Sequence, residues 1–171
     1  MILTAPEIEF YVKRGEIIIE PFDRNLLGTV SYHFRAGKEI GILDTPLDDR
    51  IRTDPTYETI SSSGFVLLPG RVYLLSTLEV MGSTIFAQQI FGTLTTGNKG
   101  LFIDVSANLG HVGSVTRWTL ELVATYPIKI HSGQRIGQII FWGLQGGYWS
   151  YDGSYQDMTR PLPSQIWKEV R

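Results

Sequence analysis

The chain has 171 residues, of which 43% are hydrophobic, 12% aromatic and 19% charged, and its formal net charge at pH 7 is −2. A chain of this length and composition can bury a core of its own, so it is predicted to form one globular domain rather than a disordered segment. The balanced charge argues against duplex nucleic acid as a partner, the lack of cysteine excludes disulfides and thiolate chemistry, and no apolar run approaches the roughly 20 residues that a membrane helix requires.

A short helix is predicted at the start of the chain. Thr4-Ala5-Pro6-Glu7 has the spacing of a capping box with a proline in the first turn, and Gly15 is a typical residue for the end of such a helix. This segment lacks a cationic stretch followed by a long apolar run, so no secretory signal is predicted and the cytoplasm is the expected location.

Short segments rich in β-branched and aromatic residues follow the helix, and Gly or Pro separates most of them. No long helical period lies between them, which favours a sandwich or barrel over alternating strands and helices. Residues 45–63 are the least patterned stretch and are predicted to form a long surface loop. The predicted strands are residues 17–19, 31–35, 65–68, 71–77, 85–91, 101–105, 115–125, 128–130 and 135–142.

The segment from Gly92 to Gly100 is rich in glycine and threonine. Its spacing is similar to that of a phosphate-binding P-loop, but Lys99 falls one place late, no Ser or Thr follows it, and a strand is predicted after it. A P-loop is therefore rejected. Two interpretations stay open, an ordinary turn between strands or a weaker anion site in which Lys99 supplies the charge.

Metal-dependent and serine-dependent chemistries find no support in the sequence. A zinc-dependent base deaminase needs cysteine ligands, and His33, His111 and His131 are scattered without ligand spacing. The Gly-x-Ser-x-Gly motif of serine hydrolases is absent as well. No metal site is predicted.

Glu121 is the most anomalous residue, because it interrupts an otherwise apolar strand. Alternation along the strand places Thr119, Glu121 and Val123 on one face, and Trp118 and Leu120 on the other with Leu122. A carboxylate in this position lies either on a solvated face or in a partly desolvated site where it can act as an acid or base. The pattern alone leaves both possibilities open.

The last part of the chain, residues 143–171, combines Gly-Gly pairs, aromatic residues and a proline-rich segment. Such a tail needs a surface to lie on. It either packs on its own subunit or covers a site or a neighbouring subunit.

Several motifs, spread over nearly the whole chain, occur in an order known from one family. They are residues 1–4, 15–23, 31–37, 67–70 and 76–79, the core motifs Trp118-Thr119-Leu120-Glu121-Leu122 and 132–138, and residues 155–156 and 161–168 in the tail. The chain thereby resembles the dCTP deaminase and dUTPase superfamily, and specifically its deaminase branch. The resemblance implies a single domain over residues 1–171, an all-β distorted barrel or jelly-roll with a short N-terminal helix, assembly as a homotrimer, and a tail (143–171) that acts as a lid over a neighbouring subunit.

The resemblance also implies a chemistry and a set of site residues. Glu121 matches the family's general acid and base, which activates a water to attack C4 of the cytosine ring in a pyrimidine nucleotide and displace ammonia. The implied mechanism uses no zinc, and Mg²⁺ accompanies the triphosphate. The implied substrate-binding residues are Thr93, Thr95, Asn98 and Lys99 in the glycine-rich loop, Val105 and Ala107 beside the pyrimidine, and Tyr155 and Gln156 in the tail.

Several positions depart from the family pattern. The family's Gly-Arg-Ser-Ser loop and the arginine after it become Gly92-Thr93-Leu94-Thr95 and Asn98, so both guanidinium groups that bind phosphate are missing. The aspartate of the Ile-Asp-Pro-Gly turn is His111, and the aspartate of the N-terminal signature is His33. A lysine and a glutamine of the lid are replaced by Ser154 and Met158.

These departures leave three hypotheses. The first is an active deaminase of a (deoxy)cytidine nucleotide, including one with fewer phosphates or a modified base. The second is a catalytically inactive homologue with a structural, regulatory or binding role. A dUTPase is third, because attack on a phosphate needs the phosphate-binding residues and the missing aspartate.

Overall fold

The computed structural model describes residues 1–43, 47–103, 107–155 and 158–168. Helix α1 spans Ala5–Lys13, the short helix α2 spans Leu94–Asn98, and two single 3₁₀ turns lie at Arg24–Leu26 and Ile166–Lys168. The strands are β1 (Ile17–Glu20), β2 (Tyr32–Ile42), β3 (Thr56–Thr59), β4 (Phe65–Leu67), β5 (Val72–Thr77), β6 (Val80–Ser83), β7 (Ala87–Gly92), β8 (Leu101–Ile103), β9 (Leu109–Gly110), β10 (Val115–Thr116), β11 (Thr119–Ala124), β12 (Ile128–Ile130) and β13 (Arg135–Trp142).

The largest sheet has the strand order β8-β11-β5-β2-β13-β7-β9, and β3 pairs with β2 at its side. The long strand β2 connects the two halves of this sheet, because residues 32–35 pair with β13 and residues 36–42 pair with β5. Smaller sheets, β1-β6-β10 and β12-β4, accompany it. Together the antiparallel sheets form a curled half-barrel, so the predicted all-β, barrel-like fold class is confirmed.

The core follows from the two-residue period of the strands. In β11 the side chains of Leu120, Leu122 and Ala124 are buried, whereas the intervening side chains are only half-buried. In β13, Ile139 and Phe141 are fully buried in the same hydrophobic cluster. Burying one face of each strand is the main stabilisation of such a sheet, at about 25 cal/mol per Å² of apolar surface.

Helix α1 forms where the sequence predicts it. Pro6 lies in its first turn, Ile8 is fully buried, and Gly15 has a positive φ of 72° just after the helix. Thr4 has the extended backbone of a capping residue, but its side chain makes no capping hydrogen bond. The helix is therefore confirmed, whereas the capping box is wrong in its side-chain contact.

The predicted loop over residues 45–63 is partly wrong. Strand β3 lies inside it and pairs with the end of β2, with Tyr57 opposite Gly41. The four residues of β3 include two threonines and a tyrosine, which favour strands, but they are mostly exposed and polar and so give no alternation. Residues 44–46 lie outside the described part of the chain.

A buried ion pair connects β2 to the turn between β5 and β6. Glu79 is fully buried, and its carboxylate accepts hydrogen bonds from the Arg35 Nε at 2.6 Å and from the Arg35 backbone N–H at 2.9 Å. Glu79 raises the pKa of the Arg35 guanidinium through this hydrogen bond, so the arginine stays charged. Both oxygens of the buried carboxylate therefore have a donor.

Candidate functional site

Glu121 lies in the middle of β11, opposite Leu74 of β5. Its two neighbours, Leu120 and Leu122, point into the core, and Glu121 is half-buried on the other face. The alternation predicted for these strand residues is confirmed. The carboxylate is thus held by a strand with partners on both sides, β5 and β8, which fixes its backbone position.

A cavity of about 550 Å³ covers this face of β11. Its walls are largely apolar and come from β5, from the region around β9, and from the C-terminal tail. Among the described residues that line it, Glu121 is the only carboxylate, and none is lysine or arginine. Ala107 lies in the wall, and its contact with a pyrimidine stays a prediction. A partly desolvated carboxylate at the wall of a mostly apolar cavity is typical of an acid–base site.

Trp118 lines the same cavity as Glu121, although the alternation placed it on the opposite face. The prediction is wrong here because β11 begins at Thr119, so the two-residue period does not extend to Trp118. The indole Nε1 donates to the Met81 carbonyl at 3.0 Å and fixes the ring. The ring packs against Gly110, where a methyl group would overlap it.

Gly110→Ala is therefore expected to displace the Trp118 ring. Overpacking of this kind should lower the free energy of unfolding by roughly 1–2 kcal/mol and quench or shift the tryptophan signal of the cavity. Urea unfolding monitored by circular dichroism measures the first effect. Gly97→Ala is the matched control, since a Cβ at Gly97 in α2 meets no atom within 4 Å. Equal stability of both variants would contradict the packing described.

His111, which stands where the family has an aspartate, lies at the wall of the cavity. Its ring stacks on Tyr151 of the tail, with centroids 5.2 Å apart and an interplanar angle of 12°. An aromatic contact with the tail thus lies at the position where the resemblance implies a carboxylate. Nothing in the sequence pattern indicated this contact, because the two residues are distant along the chain.

The C-terminal tail forms a wall of the Glu121 cavity in its own chain. Three backbone N–H groups of the tail donate to the body of the protein: Tyr151 to the Val112 carbonyl at 2.8 Å, Met158 to the Thr116 hydroxyl at 2.8 Å, and Leu162 to the Thr119 hydroxyl at 3.0 Å. Tyr155 lines the cavity too, and its hydroxyl accepts a bond from the Gln165 N–H at 2.8 Å. Coverage of a neighbouring subunit by residues 143–171 stays a prediction.

A second set of contacts anchors the tail outside the cavity. Arg160 pairs with Glu39 at 2.9 Å and lies over the ring of Tyr57, 4.2 Å from its centroid. The Tyr57 hydroxyl donates to the Pro161 carbonyl at 2.7 Å. Strand β3, which the sequence interpretation missed, thus supplies an anchor for the tail.

Tyr57→Phe removes only the hydroxyl of this anchor. The free energy that holds the tail closed should fall by about 1 kcal/mol, because one hydrogen bond to a backbone carbonyl is lost. Hydrogen exchange of the Leu162 and Met158 amides should become about fivefold faster, while exchange in β11 stays unchanged. Tyr126→Phe is the control, since Tyr126 is 59% exposed. Unchanged exchange at Leu162 in the Tyr57 variant would show that this bond does not hold the tail.

The glycine-rich loop contains a helix where an ordinary turn was one interpretation. Thr93 caps α2 by accepting the Thr96 N–H at 3.2 Å. Thr95 and Lys99 line a separate cavity of about 200 Å³, and Asn98 is exposed.

The chain therefore brings some predicted site residues together and leaves others apart. Glu121, Ala107 and Tyr155 share one cavity, whereas none of Thr93, Thr95, Asn98 and Lys99 lines it. Val105 and Gln156 lie outside the described residues. The cavity residues that the sequence interpretation missed include Trp118 and residues of β5, of the region around β9 and of the tail. Their positions depend on strand pairing and on tail contacts that leave no local pattern.

No three side chains of His, Asp or Glu in the described part of the chain are grouped closely enough to hold a metal ion. Within the same ranges, no helix has the length and apolarity needed to cross a membrane.

Comparison with known proteins points to one family. A family model described as dCTP deaminase-like matches residues 2–144. Proteins named "dCTP deaminase, dUMP-forming" from Hathewaya histolytica and Clostridium beijerinckii are each 33% identical to this chain over 171 residues. The alignments cover 99% of this chain and, respectively, 99% and 98% of the relative.

One solved structure has a similar fold. It is the 2′-deoxycytidine 5′-triphosphate deaminase from Agrobacterium tumefaciens, with a TM-score of 0.66 and 20% sequence identity. The match covers 82% of this chain and 47% of that chain, so this chain spans about half the length of that protein. At this identity the likeness concerns the fold.

Proposed function

Because the chain belongs to the dCTP deaminase-like family, we propose that it hydrolyses the amino group of a (deoxy)cytidine nucleotide, with Glu121 as general acid and base and without zinc. The observation that supports this most is the position of Glu121 as the only carboxylate among the described residues of a mostly apolar cavity. A strand with partners on both sides holds this carboxylate, as acid–base chemistry requires of a positioned group.

The proposed reaction balances with water alone. Glu121 accepts a proton from a water molecule as the water oxygen bonds to C4 of the cytosine ring, and the carboxyl group returns this proton to N3. Glu121 then accepts the proton of the new hydroxyl and donates it to the amino group. The C4–N bond breaks, ammonia leaves, and C4 keeps a carbonyl oxygen, which gives the uracil nucleotide.

The apolar walls assist this chemistry by limiting the access of bulk water. Leu74 lies opposite Glu121 on β5, Trp118 lines the same cavity, and Tyr151 and Tyr155 of the tail form part of its wall. In such surroundings a proton transfer to a positioned carboxylate is less screened than in water. Release of the product then requires the tail contacts at Thr116 and Thr119 to open.

We propose the homotrimer as the active form. Support comes from the separation of the predicted residues, because no residue of α2 lines the Glu121 cavity of the same chain. In a trimer, α2 of one subunit would face the cavity of the next, and the tail (143–171) would lie near both. Sedimentation or light scattering of the purified protein measures the mass directly.

Magnesium would enter with the substrate rather than through a protein site. The described cavity wall offers one carboxylate, which is too few for an octahedral Mg²⁺ site made by the chain. If the substrate is a triphosphate, its own oxygens hold the ion and the ion neutralises part of their charge. No step of the mechanism above uses it.

Two alternatives remain distinct from this proposal. The first is a dUTPase, which releases diphosphate from the nucleotide. The relatives are named for forming dUMP, which includes this release, but here His111 stands where the resemblance implies the aspartate for that step. An inactive homologue with a structural, regulatory or binding role is favoured by the absence of Arg and Lys from the described lining of the Glu121 cavity.

A nucleotide panel separates these readings. Cytidine and deoxycytidine, their mono-, di- and triphosphates, 5-substituted forms and dUTP are offered to the purified protein, with ammonia and pyrophosphate measured together. The proposal expects ammonia from at least one cytosine nucleotide. Release of pyrophosphate from dUTP, with no ammonia from any of the cytosine compounds, would favour the dUTPase. If no compound yields either product, the inactive homologue is favoured.

A further inference from the structure

The indole ring of Trp118 forms part of the wall of the Glu121 cavity. Trp118 directly precedes β11, so one short segment carries both the ring and the carboxylate. The backbone of Trp118 is held by Thr77 at the end of β5. Its N–H donates to the Thr77 hydroxyl at 3.0 Å, and its carbonyl accepts the Thr77 N–H at 2.9 Å. The side chain therefore projects from a fixed backbone.

One edge of the indole is fully occupied by contacts with the protein. The Nε1 atom donates to the Met81 carbonyl at 3.0 Å. The Cζ2 and Cη2 atoms follow Nε1 around the same edge, and they are the ring atoms that pack against Gly110. Because this edge holds the only polar atom of the ring, the surface that Trp118 gives to the cavity consists of carbon.

Gly110 makes the room in which the ring lies. A Cβ at this position would overlap the Trp118 ring and would come within 2.9 Å of the Gln88 Oε1. Gln88 is fully buried opposite Gly110, and its amide donates to the Phe86 carbonyl at 2.6 Å, so it has little freedom to move away. In the Ile-Asp-Pro-Gly pattern, whose aspartate position holds His111, the isoleucine position holds Gly110. A side chain of that size would exclude the indole.

Trp118 differs from the other rings of the cavity in what it can offer a ligand. Among the described lining residues, the rings of His111 and Tyr151 stack on each other, and the Tyr155 hydroxyl is bonded within the tail. The same wall contains no lysine or arginine, so a ligand meets mostly uncharged surface there. Stacking on an aromatic side chain is favourable for any nucleobase, since every base has a π-face, and an indole gives a large and rigid surface for it.

We propose that Trp118 is a specificity-determining residue of this site, whose indole is the platform on which the base of the substrate stacks. The identity of the base as cytosine rests on the proposed function, whereas stacking itself requires only a planar ring. Stacking fixes the plane of the base and thereby helps to present C4 to the water that Glu121 activates. The cavity then selects compounds by their base, whatever number of phosphates they carry.

Tryptophan fluorescence tests the contact directly. Replacing Trp142, Trp149 and Trp167 with phenylalanine leaves Trp118 as the only reporter, and Glu121→Gln in the same protein prevents turnover of a bound nucleotide. Deoxycytidine, dCMP or dCTP should quench the emission because the base lies on the indole. The compound 2-deoxyribose 5-phosphate lacks the base and should leave the emission unchanged. Absence of quenching by all three cytosine compounds, or equal quenching by the sugar phosphate, would overturn the platform.

Substitutions at the ring measure its contribution. Trp118→Leu should raise the KM of the accepted nucleotide about 10- to 100-fold, the usual effect of losing one base–aromatic stack, with a smaller fall in kcat. Trp118→Phe keeps a ring and should recover part of the loss. Gly110→Ala keeps the indole but displaces it, so KM should rise as well. Trp149→Leu is the matched control, because Trp149 is 96% exposed and does not line the cavity. Thermal melting checks that all variants remain folded.

Ammonia release by the wild-type protein is measured with the same compounds, so that the two proposals can fail separately. Quenching of Trp118 without ammonia from any cytosine compound would contradict deamination and support the platform. Ammonia release with the same KM in wild type and Trp118→Leu would support deamination and remove the platform.

Discussion

Replacing Glu121 with glutamine is expected to lower the rate of ammonia release from the accepted cytosine nucleotide by about 10²- to 10⁴-fold, the usual contribution of a general acid–base group. The amide has nearly the shape of the carboxylate but cannot take a proton from water. Because only the chemical step is affected, the dissociation constant of the nucleotide should change little. Single-turnover measurement of ammonia, together with equilibrium binding, separates the two quantities.

Glu58→Gln is the matched control for this change. Glu58 is an exposed glutamate of β3, away from the cavity, and its replacement should leave the rate as it is. The role assigned to Glu121 fails if the Gln variant releases ammonia at the wild-type rate. It also fails if nucleotide binding and turnover fall by the same factor, since that indicates a damaged cavity rather than a missing base.

The largest expected effect on stability comes from the buried ion pair of Arg35 and Glu79. Arg35→Met leaves the fully buried carboxylate of Glu79 without its guanidinium partner. Removing one member of a buried pair costs about 3 kcal/mol or more, a large part of the roughly 5–15 kcal/mol that stabilises a domain. Guanidinium chloride unfolding, followed by circular dichroism, measures the difference.

The double variant Arg35→Met, Glu79→Leu provides the internal test. With both charges gone, no buried carboxylate is left without a partner, so this variant should be more stable than Arg35→Met alone. Arg14→Met is the control, because the pair of Arg14 with Glu16 is at the surface and such pairs contribute at most about 1 kcal/mol. A double variant less stable than the single one would show that the pair is not the source of the cost.

The sequence predicted the parts of the fold that depend on local pattern. The strand predicted over residues 115–125 was correct for β11, whose buried and half-buried residues alternate, but its first part is a separate short strand, β10, in another sheet. Helix α1 was correct because Pro6 and Gly15 mark its two ends. The family, identified from the order of short motifs, is confirmed by relatives that align over 99% of the chain. Strand β3 was missed because its pairing with β2, and not its own composition, makes it a strand.

Some of the residues that line the Glu121 cavity could be named from the sequence, and their roles in binding and catalysis stay predictions. Glu121 could be singled out because a carboxylate in an apolar strand is unusual, and Ala107 and Tyr155 were implied by the resemblance. The positions of Trp118 and Tyr151 could not be predicted, since each depends on contacts between segments far apart in sequence. The cytoplasmic location, the trimer and the role of Mg²⁺ stay predictions.

The pairing of β2 with β13 has a consequence for how the chain folds. Ser31, the residue before β2, donates to the side chain of Gln138 in β13 at 3.0 Å, and the two residues are 107 positions apart. To form contacts between such distant residues, the chain must first lose the conformational entropy of a long loop. We therefore expect slow folding for a domain of this size. During synthesis β2 and β7 lack a partner between them until β13 has left the ribosome. The middle of the large sheet is therefore completed late.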